Sequence, residues 1–137
     1  MRIYVAAKFE EKPRVRTLMR ALEDAGHQIT LDWTDEDATG LTGMELQAYY
    51  AECAENDVRG VQRAEVFVVL DHPRGRGLFV ELGVALAKGA HVIVVGVKQD
   101  DPDNCIFYYF PWMVHVETED QVLAAVEKIR KENEFAA

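Results

Sequence analysis

The sequence contains no serine, and this absence limits the chemistry that the chain can perform. A Ser-His-Asp triad uses a serine hydroxyl as its nucleophile, so hydrolases of that type are excluded. Cysteine is also scarce, because Cys53 and Cys105 are the only two in the chain. Two cysteines cannot build a disulfide framework, and their separation is not that of metal ligands. We therefore expect reduced thiols and a cytoplasmic protein.

Long apolar runs are absent as well. The run from 3 to 7 has about five apolar residues, whereas a secretory leader needs roughly 7–15 and a membrane span about 20. Positive charge is in short supply, because 15 Lys and Arg stand against 24 Asp and Glu, for a net charge of -9. The short apolar run leads us to expect no signal peptide and no membrane segment. The negative charge leads us to expect no nucleic acid polymer as partner, since binding to phosphate backbones requires an excess of basic groups.

What the chain does have is the composition of a globular protein. Its 137 residues are 49% hydrophobic and 28% charged, which predicts one domain spanning 1–137 with a substantial core. Short apolar runs predict strands at 3–7, 28–33, 65–70, 91–97 and 113–116. Apolar residues at helical spacing predict helices at about 15–25, 44–62, 78–88 and 118–132.

This alternation predicts an α/β fold, a flavodoxin-like or Rossmann-like three-layer sandwich around a five-stranded parallel sheet. The expected strand order is 2-1-3-4-5. Sheets of this kind bind ligands outside the carboxyl ends of the strands, at the switch point between the first and third strands. The sequence brings three segments there: 6–9, the loop after Trp33, and 71–81.

Two carboxylates fall on apolar helix faces. Glu81 lies early in a helix of apolar and small residues, where burial is unfavourable unless the charge is paired or used. The alternative is an acid that only interacts with the dipole of the first helical turn. Asp57 continues the stripe of Leu46, Tyr50 and Cys53. The alternative there is a rotated or frayed helix that turns Asp57 to water.

The loop of 72–77 leads two arginines and two glycines into a helix N-terminus. Backbone N–H groups and guanidinium forks suit a phosphate or carboxylate, although a solvated loop would look the same. Tyr4 and Lys8 flank the end of the first strand, where Tyr4 could equally be a core aromatic. The aromatic run at 107–112 suits a base-sized pocket or a subunit contact. The acids at 32–37 and 100–103 are expected to face water.

Three segments resemble the nucleoside 2-deoxyribosyltransferase family: IYVAAKF, NDVRGVQRAEVFVVL and GLFVELGVALAKGAHVIVV. They agree with the family in spacing and order, with Glu65 standing where the family usually has Asp. The resemblance implies that Glu81 is the nucleophile that attacks the anomeric carbon and forms a glycosyl-enzyme intermediate. It implies that Asp57 binds sugar hydroxyls and positions the nucleophile, and that Tyr4 lies beside the nucleophile.

The resemblance also implies a nucleoside or nucleotide as substrate, no cofactor, no metal and a homo-oligomer, a dimer or larger. The segments at the switch point supply the expected substrate-binding residues, which are Ala6, Lys8, Phe9, Asp71, Arg74, Gly75, Arg76 and Gly77.

Departures from the family leave the substrate open. Gly75 stands six residues before the nucleophile, where these transferases commonly carry a base-binding acid, and Asp71 is the candidate substitute. Arg74 and Arg76 occupy the loop where related 5′-monophosphate N-glycosidases bind phosphate with Ser and Gly. The segment 73–81 also resembles the P-G-G-x-G-T-x-x-E motif of cytokinin-activating phosphoribohydrolases, with Arg74 and Leu78 as differences. Deoxyribosyl transfer, hydrolysis of a 5′-monophosphate and a non-catalytic nucleotide-binding module therefore all remain as hypotheses.

Overall fold

The computed structural model describes residues 1–136, and a sheet of five parallel strands forms its centre. The strands are β1 (Arg2–Ala6), β2 (Gln28–Ile29), β3 (Val66–Leu70), β4 (His91–Val95) and β5 (Val114–Val116). Their order is β2-β1-β3-β4-β5, which confirms the predicted topology. The end of the predicted domain, Ala137, lies outside the described residues.

Four α-helices cover the sheet. They are α1 (Lys12–Asp24), α2 (Gly43–Arg63), α3 (Arg76–Lys88) and α4 (Val122–Ala136). α2 and α3 pack against each other, while Arg14 of α1 forms a two-pronged ion pair with Glu119 just before α4, at 2.8 and 2.9 Å. Helices thus lie on both faces, as right-handed connections between parallel strands require. Within residues 1–136, no helix is both long and apolar enough to cross a membrane.

The core follows from the apolar runs. Every residue of β3 is buried, as a central parallel strand with helices on both faces demands. α1 contributes a stripe of buried side chains at helical spacing, namely Val15, Leu18, Met19 and Leu22.

The second strand is much shorter than predicted. β2 ends at Ile29, and a 3-10 turn at Trp33–Asp35 occupies the end of the predicted strand 28–33. The Asp32 side chain accepts a hydrogen bond from the Thr34 backbone N–H at 3.0 Å, which turns the chain. The Trp33 indole donates to the Val5 carbonyl at 2.6 Å and so fixes the turn to β1. The loop predicted after Trp33 therefore begins with this turn.

Two helix predictions also need correction. α3 begins at Arg76 rather than 78, so Glu81 lies in the second helical turn and the first turn contains no acid. The apolar stripe of α2 is not core, because Tyr50 is 57% exposed and only Gly60 and Val61 of that helix are buried. The first half of α2 borders a cavity, whereas its last turns pack on β1.

Candidate active site

Glu81 lies on α3 beside the carboxyl end of β1. Its Oε2 atom is buried and has no hydrogen-bond partner among residues 1–136. Burial raises the pKa of Glu81 to about 7, while a hydrogen bond with the Tyr4 side chain works in the opposite direction and the charge of Glu36 adds to the rise. No basic side chain contributes to this balance within the described part of the chain. Glu81 is therefore a carboxylate that can change protonation near neutral pH.

Tyr4 is 1% exposed on β1, where its ring stacks on Phe67 at 6.0 Å between centroids. Its hydroxyl meets the carboxylates: burial raises the pKa of Tyr4 far above its usual range, and the charges of Glu81 and Asp57 raise it further. A phenol in this state stays protonated and serves as a hydrogen-bond donor. Tyr4 is thus both a core aromatic and a member of the acid cluster.

Asp57 reaches the cluster because α2 approaches β1 closely at Gly60, one turn further along the helix. A Cβ atom at Gly60 would lie 3.0 Å from the Tyr4 ring and 3.0 Å from Leu31 Cβ. Asp57 Oδ1 is buried and accepts no hydrogen bond from residues 1–136. Burial first, then the charges of Glu36 and Glu81, raise the pKa of Asp57 to about 8. No pattern in the sequence singles out Gly60, a residue type that a helix normally disfavours.

Glu36 is a third carboxylate of the cluster, although the sequence predicts that its segment faces water. That expectation was wrong for this residue, because its side chain is partly buried in the lining of a cavity and its charge raises the pKa values of Tyr4, Asp57 and Glu81. Glu36 follows the turn that Trp33 anchors to β1. No local pattern in 32–37 distinguishes it from its acidic neighbours, since its position depends on that long-range anchor. We refer to Tyr4, Glu36, Asp57 and Glu81 as the acid cluster.

A cavity of about 420 Å³ opens next to the acid cluster. Its lining is largely aromatic and apolar, and comprises Phe9, Glu36, Asp37, Ala38, Thr39, Tyr49, Tyr50 and Cys53. Glu36 is the one member of the acid cluster in this lining, so it connects the cavity to Asp57 and Glu81. A cavity of this size and character suits a flat heterocycle held between aromatic side chains.

Several predicted site residues surround the cluster or lie apart from it. Phe9 lines the cavity, and Ala6 ends β1 as a buried residue paired with Val69. Lys8 forms an ion pair with Glu10 at 3.4 Å. Asp71 is not part of the acid cluster, because its Oδ1 accepts a hydrogen bond from Tyr108 at 3.0 Å and it lines a different cavity of about 500 Å³.

The loop of 72–77, which we call the arginine loop, leads into α3 close to Glu81 in the sequence. Arg74 and Arg76 are exposed, and within residues 1–136 neither guanidinium forms an ion pair. Gly75 is buried at the N-cap, where a Cβ atom would overlap the Leu78 side chain, so a larger residue does not fit at this position. A Cβ atom at Gly77 would lie 3.9 Å from Glu81 Oε1. Glycine therefore leaves open space beside the carboxylate.

The aromatic run at 107–112 divides between core and surface. Tyr108 is buried, whereas Phe107, Tyr109, Phe110 and Trp112 are each at least 40% exposed. Phe107 also borders an apolar cavity of about 460 Å³ with Phe79 and Leu82. The run lines no part of the cavity next to the acid cluster.

The arrangement suits displacement chemistry on a carboxylate. In the described residues, no group of three His, Cys, Asp or Glu side chains is arranged to hold a metal ion. Two carboxyl groups with raised pKa and a protonated phenol converge at the switch point of the sheet, beside a base-sized cavity and an arginine loop. A pair of groups with such pKa values can supply a nucleophile and an acid.

Solved structures that share this fold include two enzymes. A CMP N-glycosidase of Clostridium botulinum superposes with a TM-score of 0.62 at 18% identity, over 93% of this chain and 99% of that enzyme. A 2-deoxyribosyltransferase of Bacillus psychrosaccharolyticus superposes with a TM-score of 0.65 at 18% identity, over 89% of this chain and 90% of that enzyme. No family model and no curated protein sequence matches the chain. At this identity the likeness establishes a shared fold.

Proposed function

We propose that the chain cleaves or exchanges the N-glycosidic bond of a nucleoside or deoxynucleoside through a glycosyl-enzyme intermediate on Glu81. One observation carries the proposal: a carboxylate without a counter-ion meets a second carboxylate and a phenol at the switch point, where such folds bind ligands. A buried charge of this kind is unfavourable for folding, so a chemical role accounts for its presence. The two enzymes that share the fold act on a nucleotide and on deoxyribosyl groups, as their names state.

In the first step, a Glu81 carboxylate oxygen attacks C1′ of the sugar. The bond from C1′ to the base nitrogen breaks, its electron pair leaves with the base, and an ester forms between C1′ and Glu81. Tyr4 donates a hydrogen bond that holds the carboxylate before attack. Asp57 binds the sugar hydroxyls and fixes the sugar relative to Glu81. The open space beside Gly77 admits the sugar.

In the second step, the ester is broken at C1′. A second base attacks C1′ in the transferase reaction, and water attacks it in the hydrolase reaction. Either nucleophile loses one proton, and Glu81 leaves again as a carboxylate. Two displacements at one carbon preserve the anomeric configuration.

Base exchange tests the proposal directly. We expect the chain, incubated with a deoxynucleoside and a second free base, to form the exchanged nucleoside, and Glu81→Gln to form none while remaining folded. Glu55→Gln, at an exposed acid of α2, is the matched control and should keep full activity. Mass spectrometry of quenched wild-type enzyme should find the sugar on the peptide that contains Glu81. Absence of exchange and of hydrolysis over a broad panel would refute enzymatic activity and favour a nucleotide-binding module.

A 5′-monophosphate N-glycosidase is the second candidate, and the arginine loop favours it. Arg74 and Arg76 supply two exposed guanidinium groups at the N-terminus of α3, and guanidinium forks bind phosphate oxygens in pairs. This candidate predicts cleavage of monophosphates in preference to nucleosides. The charge reversals Arg74→Glu and Arg76→Glu together should abolish that preference by raising KM for the monophosphate. Arg20→Glu on α1 is the control, and an unchanged preference in the loop variant would refute the phosphate role.

We also propose that the chain works as a homo-oligomer. Two apolar areas are exposed: Met44 and Tyr50 on the first half of α2, and the segment around Ile106 and Trp112. Exposed aromatic side chains are typical of the centre of protein interfaces. The first area borders the cavity next to the acid cluster, so a second copy could complete the walls of that cavity.

A further inference from the structure

The backbone that leads to Glu36 is held at three positions. The Trp33 indole binds the Val5 carbonyl at 2.6 Å, and Arg16 donates to the Thr34 hydroxyl and carbonyl at 3.1 and 2.9 Å. Lys12 Nζ donates to the Glu36 carbonyl itself at 3.2 Å. The turn therefore fixes the backbone from which the Glu36 side chain enters the cluster.

Burial, and then the charge of nearby Glu36, raise the pKa of Asp57 to about 8. Two carboxyl groups this close hold one proton more readily than they release both. Asp57 is the inner member, with its Oδ1 buried. Glu36 is the outer member, because it lines the cavity with Phe9, Tyr49 and Tyr50. The Glu36–Asp57 pair thus lies at the boundary between the cluster and the space suited to a base.

The alternative acids are not available in the described part of the chain. Gly75 has no side chain, and Leu78 occupies the space that a Cβ atom would need. The Asp71 carboxylate accepts the Tyr108 hydroxyl and faces a separate cavity. Asp37 also lines the cavity, but its Oδ1 accepts the Thr39 backbone N–H at 2.9 Å. Glu36 is the carboxyl group that touches both the cavity and Asp57.

We propose that Glu36 is the catalytic acid that protonates the leaving base, with a proton it shares with Asp57. The inference rests on the proposed function and adds a residue to it. When the bond from C1′ breaks, the proton passes from the Glu36–Asp57 pair to an acceptor nitrogen or oxygen of the base, and the pair becomes doubly ionised. In the second step the pair takes back one proton from the attacking base or water. No further reactant is needed.

A leaving group that needs no proton separates this role from a structural one. The substrates are 2′-deoxyadenosine, 2′-deoxycytidine and their 5′-monophosphates, with 4-nitrophenyl 2-deoxyribofuranoside as the activated glycoside. Glu36→Gln keeps the shape of the side chain and cannot donate an acidic proton. We expect it to lower kcat on the best nucleoside or nucleotide by about 10²–10⁴-fold, and to cleave the nitrophenyl glycoside at nearly the wild-type rate.

Asp35→Asn is the matched control, because Asp35 belongs to the same turn and its side chain is 80% exposed, pairing with Arg16 at 3.8 Å. It should behave as wild type on both substrate classes. Equal losses of Glu36→Gln on nucleoside and nitrophenyl glycoside would overturn the inference, as would full activity on both. A wild-type chain that cleaves only the nitrophenyl glycoside has a working nucleophile and no acid. This result would overturn the inference about Glu36 and would leave the role of Glu81 as nucleophile in place. A wild-type chain that cleaves neither overturns the proposed function as well.

Discussion

At the scale of single residues, Glu81 combines burial with the absence of a counter-ion in residues 1–136. Its usual pKa of 4.5 becomes about 7 because the charged form loses hydration. Asp57 moves in the same direction to about 8. Both groups bind protons more tightly in the folded chain than in the unfolded chain. The folded chain therefore loses stability as pH rises through the range in which the unfolded chain has released these protons and the folded chain still holds them.

Glu81→Gln should reveal this loss in the free energy of unfolding. Between pH 4.5 and about 7, Glu81 keeps its proton in the folded chain and has released it in the unfolded chain. Wild-type stability should therefore fall as pH rises through this window, with a contribution from Glu81 of at most about 3 kcal/mol. Urea unfolding across the window should show that Glu81→Gln falls less steeply than wild type. Parallel curves for the two proteins would contradict a raised pKa at Glu81.

The pH dependence of kcat/KM should be a narrow bell. Glu81 must be ionised to attack, so kcat/KM should rise until pH exceeds about 7. The acid role needs a proton that Asp57 holds until pH reaches about 8, so kcat/KM should fall above that pH. The titratable and charged groups that face this pair are Tyr4 on β1, Lys12 on α1, Tyr49 and Cys53 on α2, and Glu81 on α3.

Rate profiles with two leaving groups check this bell. With a nucleoside, both limbs should be present. With the nitrophenyl glycoside, the rise should remain and the fall should disappear, because that leaving group needs no acid. A fall that persists at the same pH for both substrates would show that it reports another group.

At the scale of elements, the distance between α2 and β1 decides whether the cluster forms. Gly60→Ala should push α2 away from Tyr4 and Leu31, because the new Cβ would lie 3.0 Å from both. We expect a loss of about 1–3 kcal/mol in the free energy of unfolding, as for other overpacked sites. Activity should also fall, since Asp57 moves with the helix.

Gly83→Ala is the control for that substitution. Gly83 lies in α3, and a Cβ atom at this position would meet no atom of residues 1–136 within 4 Å, so alanine should stabilise the helix by roughly 0.5–1 kcal/mol. Urea unfolding of both variants measures the difference. Equal changes in the free energy of unfolding for Gly60→Ala and Gly83→Ala would contradict the prediction, because they would show that a Cβ atom fits between α2 and β1.

The elements also show what a sequence can predict. The strand order could be predicted from the five apolar runs and the helices between them. Strands that alternate with helices form parallel sheets, and their right-handed connections allow few strand orders. Asp57 and Glu81 stood out since each interrupts an apolar helix face. Glu36 did not, because its position depends on the bond from the Trp33 indole to Val5, 28 residues away. The role predicted for Asp71 stays a prediction, and the sequence did not indicate its partner Tyr108, which lies 37 residues along the chain.

At the scale of the whole molecule, negative charge dominates and its location matters. The net charge is -9, yet many of the acids pair with nearby arginines at the surface, as Glu119 does with Arg14. The acid cluster has no such partner in residues 1–136. Arg74 and Arg76 are exposed at the N-terminus of α3, the helix that carries Glu81.

The exposed apolar areas predict association of the whole molecule. Ile106 is 75% exposed, Trp112 is 51% exposed, and Phe110 stacks on Trp112 at 5.5 Å between centroids. Sedimentation velocity should find a dimer or larger species rather than a 15.5 kDa monomer. Ile106→Ser combined with Trp112→Ser should shift the distribution toward monomer by removing apolar contact area. Phe135→Ser, at a side chain that is 92% exposed on α4, should leave it unchanged. A wild-type monomer at all concentrations would contradict the proposed assembly, and base exchange by that monomer would show that one copy completes the site.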